Sequence, residues 1–176
     1  MIRVAAADLA RLADWAQAAY PQEACALLAG RWRPGAVLDL TRLVQSRNLA
    51  ATPERAFEID LGLRIGLERE LRDPPGGGAA GAERLVGLWH SHPDGPDRPS
   101  ERDRAAVQED MLWLVSAVAR GAAGPPRAFR PLPGPGFARA RWGAIGGFGP
   151  VAGFLEENLV AVAPPGAMQE KGQVHE

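Results

Sequence analysis

The chain has 176 residues, 46% of them hydrophobic, with 20 Lys+Arg against 21 Asp+Glu for a formal net charge of −1. That length and apolar content fit one ordinary folded domain and exclude a disordered chain, while near-zero charge offers no electrostatic case for a nucleic-acid or membrane partner. A single cysteine, Cys25, excludes an intrachain disulfide, and Asp8 and Asp14 interrupt what would be the apolar stretch of a signal peptide, so the expected location is cytoplasmic.

Leu9, Leu12, Ala13, Ala16, Ala19 and Tyr20 recur at helical spacing and Pro21 ends the pattern, which predicts an amphipathic helix over residues 7–20. Ala24 to Trp32 and Ala36 to Val44 are apolar-rich runs joined at Pro34-Gly35, a β-hairpin signature. Residues 45–54 read as loop, and Arg55 to Ile59 as a short strand. Asp60 is a candidate N-cap for a helix using Leu63, Leu67 and Leu71. The Gly/Pro-rich stretch 73–82 reads as a flexible connector.

Leu85 to Trp89 predicts a buried strand running into His90-Ser91-His92-Pro93, then a polar loop and a helix from about Ser100 to Asp110. Met111 to Val118 is the most strand-like run. Two further candidate strands, Arg127–Arg130 and Phe137–Trp142, flank a Pro/Gly segment; beyond Gly143 the pattern decays. The expected organisation is a domain over residues 1–145 and a C-terminal extension over 146–176, partly disordered. Strands and helices without strict βαβ alternation predict a mixed sheet flanked by helices.

Of the three histidines, two form His90-x-His92. A strand sends residues i and i+2 to one face, their Cα atoms roughly 6.5–7 Å apart, so both rings can converge on one ion. Asp103 follows, with Ser100 between. Two histidines, a carboxylate and a position left to water make the ligand count of a catalytic zinc site. The same residues admit plainer readings: histidine pairs on strands are often surface residues, and Ser100-Glu-Arg-Asp103 fits a capping box that starts a helix. Both can hold, since a cap fixes Asp103 in the first turn. Glu23, at the mouth of an apolar strand, is a candidate base, though taken by itself its plainer reading is a solvated residue just past the helix; its position relative to a metal is not legible from spacing.

Glu23, followed by His90-Ser-His92-Pro with Ser100 and Asp103, matches a remote Glu and H-x-H-x7-S-x-x-D. With Pro21-x-Glu23, Leu27-Leu28-x-Gly30 and Pro99-Ser100, the chain resembles the JAMM/MPN+ (Mov34/PAD-1-type) zinc metallopeptidases, especially compact stand-alone bacterial members, over about residues 7–142. The resemblance implies an α/β (mixed α+β) fold, a twisted mixed sheet flanked by helices and similar to cytidine deaminases. It implies Zn2+ held by His90, His92 and Asp103, with Glu23 as general base and acid and Ser100 helping to hold the oxyanion. It further implies hydrolysis after the C-terminal Gly-Gly of a ubiquitin-like β-grasp sulfur-carrier protein, with a possible homodimer. The alternatives are a catalytically inactive scaffold and a RadC-like or phage-tail-type member. Cys25 is expected to be a buried apolar residue, and His175 a tail residue.

Overall fold

The structure is a computed structural model that describes residues 1–72, 83–107, 111–134, 138–139, 147–148 and 151–163. It opens with a strand the sequence reading did not anticipate, β1 (Ile2–Ala5), leading directly into α1 (Ala6–Ala19). The helix turns Leu12 and Ala16 into the core, with Leu9, Trp15, Ala19 and Tyr20 packed around them. This is the stripe that the helical spacing predicts. Strands β2 (Cys25–Arg33) and β3 (Val37–Ser46) form the expected hairpin, whose turn carries Gly35 and Ala36 at positive φ. Helix α2 (Leu61–Arg72) is capped as anticipated, the Asp60 Oδ1 accepting the Gly62 and Leu63 amides.

Strand β4 (Arg84–Pro93) carries both histidines within it. Helix α3 (Glu101–Ala106), β5 (Leu112–Ala119), β6 (Ala122–Ala123), β7 (Arg127–Pro133), β8 (Ala138–Arg139), β9 (Gly147–Phe148), β10 (Val151–Glu157) and β11 (Leu159–Val162) complete the order. Among the described residues, nine strands form one mixed sheet in the order β10-β7-β5-β4-β2-β3-β1-β11, with β6 on β5. The β4–β5, β3–β1 and β1–β11 pairs are parallel and the others antiparallel. The two end strands, β10 and β11, are separated in the chain by Asn158 alone. One residue cannot span a flat sheet of this width, so the sheet curls until its two edges approach each other.

Central strands are buried on both faces. Ala26 and Leu28 join the cluster beneath α1, whereas Leu27 and Ala29 join Leu67 and Leu71 of α2. Likewise Leu112 and Leu114 face α1 while Trp113 and Val115 face Phe129, Val151 and Val107. Two-sided burial is why these segments read as unbroken apolar runs rather than alternating ones. Ser116, the lone polar interruption of β5, accepts a hydrogen bond from the buried Trp89 indole at 3.0 Å.

Several expectations need correction. Among the described residues, 55–59 make an isolated bridge, Ile59 to Asn48, and no strand: the Ala56 carbonyl and the Glu58 amide bond to the Asn48 side chain, and the Glu58 carbonyl to the Leu49 amide. Strand 127–130 continues through Pro131 and Pro133. Strand β5 leaves β7 after Phe129, so among the described residues one side of β7 has no strand partner where the prolines fall. Residues 151–162, assigned from sequence to an extension, pair with β7 and β1 of the main sheet. Of the expected helix 100–110, residues 101–106 are helical, and of strand 137–142, residues 138–139 are strand. The remainder of strand 137–142, residues 108–110 of that helix, the connector 73–82 and residues 164–176 with His175 lie outside the described residues. No helix among the described residues is long and apolar enough to cross a membrane.

Candidate metal centre

The exit of β4 builds the site. Pleating sends His90 and His92 to one face and the intervening Ser91 to the other. The histidine Nε2 atoms stand 2.9 Å apart, with ring centroids 4.7 Å apart. His92 is oriented from behind, its Nδ1 donating to the Pro96 carbonyl at 2.8 Å, which leaves the Nε2 lone pair facing His90. Phe57 stacks on the His90 ring at 4.4 Å and Trp113 meets its edge at 5.6 Å. Both histidines are buried, His90 completely.

Asp103 arrives from the first turn of α3. The predicted capping box is present: Ser100 Oγ accepts the Asp103 amide at 3.1 Å and Asp103 Oδ2 accepts the Ser100 amide at 2.6 Å. The cap aims the carboxylate at the histidines, with Oδ1 3.4 Å from His90 Nε2 and Oδ2 3.2 Å from His92 Nε2. Ser100 accepts through its oxygen in that cap, so its O–H remains a donor for another partner.

Glu23 precedes β2 and is 6% exposed, not solvated. Its amide donates to the Pro53 carbonyl at 2.7 Å, its carbonyl accepts from Asn48 at 3.0 Å, and its Oε2 has no hydrogen-bond partner among the described residues. One ligand atom each from Glu23, His90 and His92 lies within 4.8 Å of the other two. The fold thus brings Glu23, His90, His92 and Asp103 to one place, with Ser100 beside Asp103. The sequence reading missed Phe57, Trp113, Pro96 and Asn48 as supports. Phe57 and Asn48 fell in segments read as a strand and a loop, and no local pattern marks an aromatic residue as a lid over a distant histidine.

Electrostatics follow from burial. Burial raises the Glu23 carboxyl to about 7; the positive charge of His92 opposes this, Asp103 adds to it and Arg102 opposes it. Burial holds His90 below its ordinary value against the pull of Asp103, favouring the neutral imidazole. Burial also works against the charged form of His92, but Asp103, the Pro96 carbonyl and Glu23 outweigh it and raise the pKa. Asp103 is penalised by burial too, yet the two histidines and the Ser100 side chain hold it well below the usual carboxylate range. The Cys25 thiol is buried and pushed up to about 12 by desolvation, which makes it a poor nucleophile.

The donors fit a metal ion. Tetrahedral zinc with bonds of ~2.0–2.2 Å sets neighbouring ligand atoms roughly 3.2–3.6 Å apart. The two His–Asp separations, 3.4 and 3.2 Å, lie in that range and the 2.9 Å His–His separation is slightly shorter. Two imidazoles, an ionised carboxylate and a buried carboxylate oxygen with no hydrogen-bond partner among the described residues are a donor set that suits a divalent cation.

A curled mixed sheet with a Glu-His-His cluster at one strand exit defines the class: an α/β protein with a candidate mononuclear metal centre. Residues 5–132 match the family of prokaryotic homologues of the JAB domain, and the chain belongs to that family. No curated protein matches it significantly. Among solved structures, a protein from Desulfitobacterium hafniense is 20% identical with a TM-score of 0.68, over 98% of this chain and 100% of that one. A protein from Salinibacter ruber is 22% identical with a TM-score of 0.60, over 92% of each. A JAB1/MPN domain protein from Archaeoglobus fulgidus aligns over 74% of this chain and 86% of its own, at 18% identity and a TM-score of 0.42.

Proposed function

We propose that the protein is a zinc-dependent peptidase or isopeptidase that hydrolyses the amide bond after the C-terminal Gly-Gly of a ubiquitin-like, β-grasp sulfur-carrier protein. The observation that carries this reading is the meeting of two imidazole Nε2 atoms and the Asp103 carboxylate within 2.9–3.4 Å, beside a buried carboxylate with a free oxygen. His90, His92 and Asp103 hold the ion, Asp103 aimed at it by the cap. Zinc held there supplies Lewis acidity, lowering the pKa of water and polarising a carbonyl.

Glu23 does the proton work. Its Oε2 takes a proton from the attacking water as the oxygen bonds to the carbonyl carbon, then passes it to the amide nitrogen as the C–N bond breaks. The Ser100 hydroxyl donates to the carbonyl oxygen as negative charge develops. A Gly-Gly tail suits the site because a side-chain-free segment lets its backbone carbonyl reach a recessed centre. We take the reaction to be cytoplasmic, in keeping with one unpaired cysteine.

Incubating the zinc-loaded protein with a β-grasp carrier extended by one amino acid beyond Gly-Gly, and weighing the products, tests this. Release of that amino acid and a carrier ending in Gly-Gly is the expected result. An intact carrier after prolonged incubation with stoichiometrically loaded protein sinks the reading.

A further inference from the structure

Asn48 follows β3 and is half-buried, and no step above uses it. Its side-chain amide donates to three carbonyls, those of Glu23 at 3.0 Å, Ala56 at 2.9 Å and Pro53 at 3.4 Å. Its Oδ1 accepts the amides of Ala50 at 3.0 Å and Glu58 at 3.1 Å. These partners fix which end of the amide is which, since only nitrogen can face three carbonyls and only oxygen two N–H groups.

The bonds form two clamps. Glu23 is held on both sides, its carbonyl by Asn48 directly and its amide by Pro53, whose carbonyl Asn48 also holds. Phe57 lies between two residues whose backbone groups Asn48 binds, Ala56 and Glu58, and its ring stacks on His90. Among the described residues the Glu23 carboxylate has no hydrogen-bond partner at Oε2, so its aim rests on the backbone that carries it.

We propose that Asn48 is a positioning residue, locking the backbone of Glu23 and the loop 49–58 so that the Glu23 carboxylate and the Phe57 ring face the histidine pair in fixed register. It acts through Glu23, and so rests on the base role proposed above. An aspartate at this position retains an acceptor for Ala50 and Glu58 and loses every donor; an alanine loses both.

The test compares Asn48→Asp and Asn48→Ala with the parent, using the carrier extended beyond Gly-Gly, zinc content, and backbone amide exchange. Both variants are expected to bind zinc as the parent does and to keep KM within about twofold, with kcat lower by roughly 100-fold, the scale of an ångström's misplacement. Exchange at the Glu23 amide should rise by about tenfold or more while β4 and α1 stay protected. In a Glu23→Ala background, Asn48→Ala should cost nothing further. Parent-like kcat in Asn48→Asp, unchanged Glu23 protection, or losses that multiply in the Glu23→Ala background would each overturn the proposal. If Glu23→Ala itself turns over normally, the base role fails instead, and exchange at Glu23 still decides whether Asn48 holds that backbone.

Discussion

The Ser91 hydroxyl accepts the Ala24 amide at 2.9 Å while the Ser91 amide donates to the Ala24 carbonyl at 2.9 Å, joining the strand that bears both histidines to the residue beside Glu23. The middle residue of His-Ser-His thus faces away from the centre yet ties the two halves of it together. Ser91 is fully buried. Replacing it with alanine strands the Ala24 N–H, a loss of about 1–3 kcal/mol. Urea unfolding of Ser91→Ala measures it, and a parent-like midpoint and slope would show that the amide finds another acceptor.

Glu23→Ala and Asp103→Ala separate metal holding from proton transfer. Asp103 lies within 3.4 Å of both histidine Nε2 atoms, whereas Glu23 offers an oxygen somewhere within a 4.8 Å cluster. Glu23→Ala is expected to retain zinc and lose turnover by at least about 100-fold, and Asp103→Ala to lose both. Metal analysis of dialysed protein checks this. Zinc loss in Glu23→Ala would make Glu23 a ligand.

Metal binding should weaken in acid. In the metal-free protein the His92 pKa lies above its ordinary value, so in acid this ligand carries a proton that an incoming cation must displace. Each displaced proton costs about tenfold in apparent affinity per pH unit below its pKa, so zinc should bind at least about tenfold more weakly near pH 5.5 than near pH 7.5. Titration at the two pH values reads this directly, with proton release on binding at the lower one.

Gly87→Ala should disable the protein without touching the centre. A Cβ there would lie 2.2 Å from the Leu112 carbonyl oxygen, pushing β4 off β5. The same strand pair sets His90 opposite Val115 and His92 opposite Ala117. We expect destabilisation of about 3 kcal/mol or more and diminished zinc retention. Thermal unfolding and metal content test it; a parent-like midpoint would show that the strands can part.

Chelation should lower stability. Removing zinc leaves the Asp103 carboxylate, two imidazoles and the partnerless Glu23 oxygen buried together. At free zinc about 1,000 times its dissociation constant, binding stabilises by roughly 4 kcal/mol. A drop in the unfolding midpoint on adding chelator, reversed by zinc, is the expected outcome.

Much of the fold was legible locally. Asp60 caps α2, the 34–35 turn closes the hairpin, and Ser100 and Asp103 form their box, because each depends on backbone geometry over a few residues. What escaped was long-range. Strand β1 is too short to show a period and is paired at its far side by residues 159–162. Residues 55–59 have strand-like composition, but the Ala56 carbonyl and the Glu58 amide bond to the Asn48 side chain rather than to a strand.

The chain's own pattern placed two imidazoles on one face and a capped carboxylate eleven residues on, since a strand's two-residue alternation and a helix cap are properties of neighbours along the backbone. Glu23 was a candidate base from its place at the mouth of an apolar strand, and resemblance to a family set it beside that pair. Its place beside the histidines arises from the register that sets Cys25 against His90, between strands far apart in sequence, and its brace on Asn48 from the hairpin register that sets Cys25 against Ser46. Register is a property of two strands packed on a shared core, so it is settled when the sheet assembles and is written in neither strand alone.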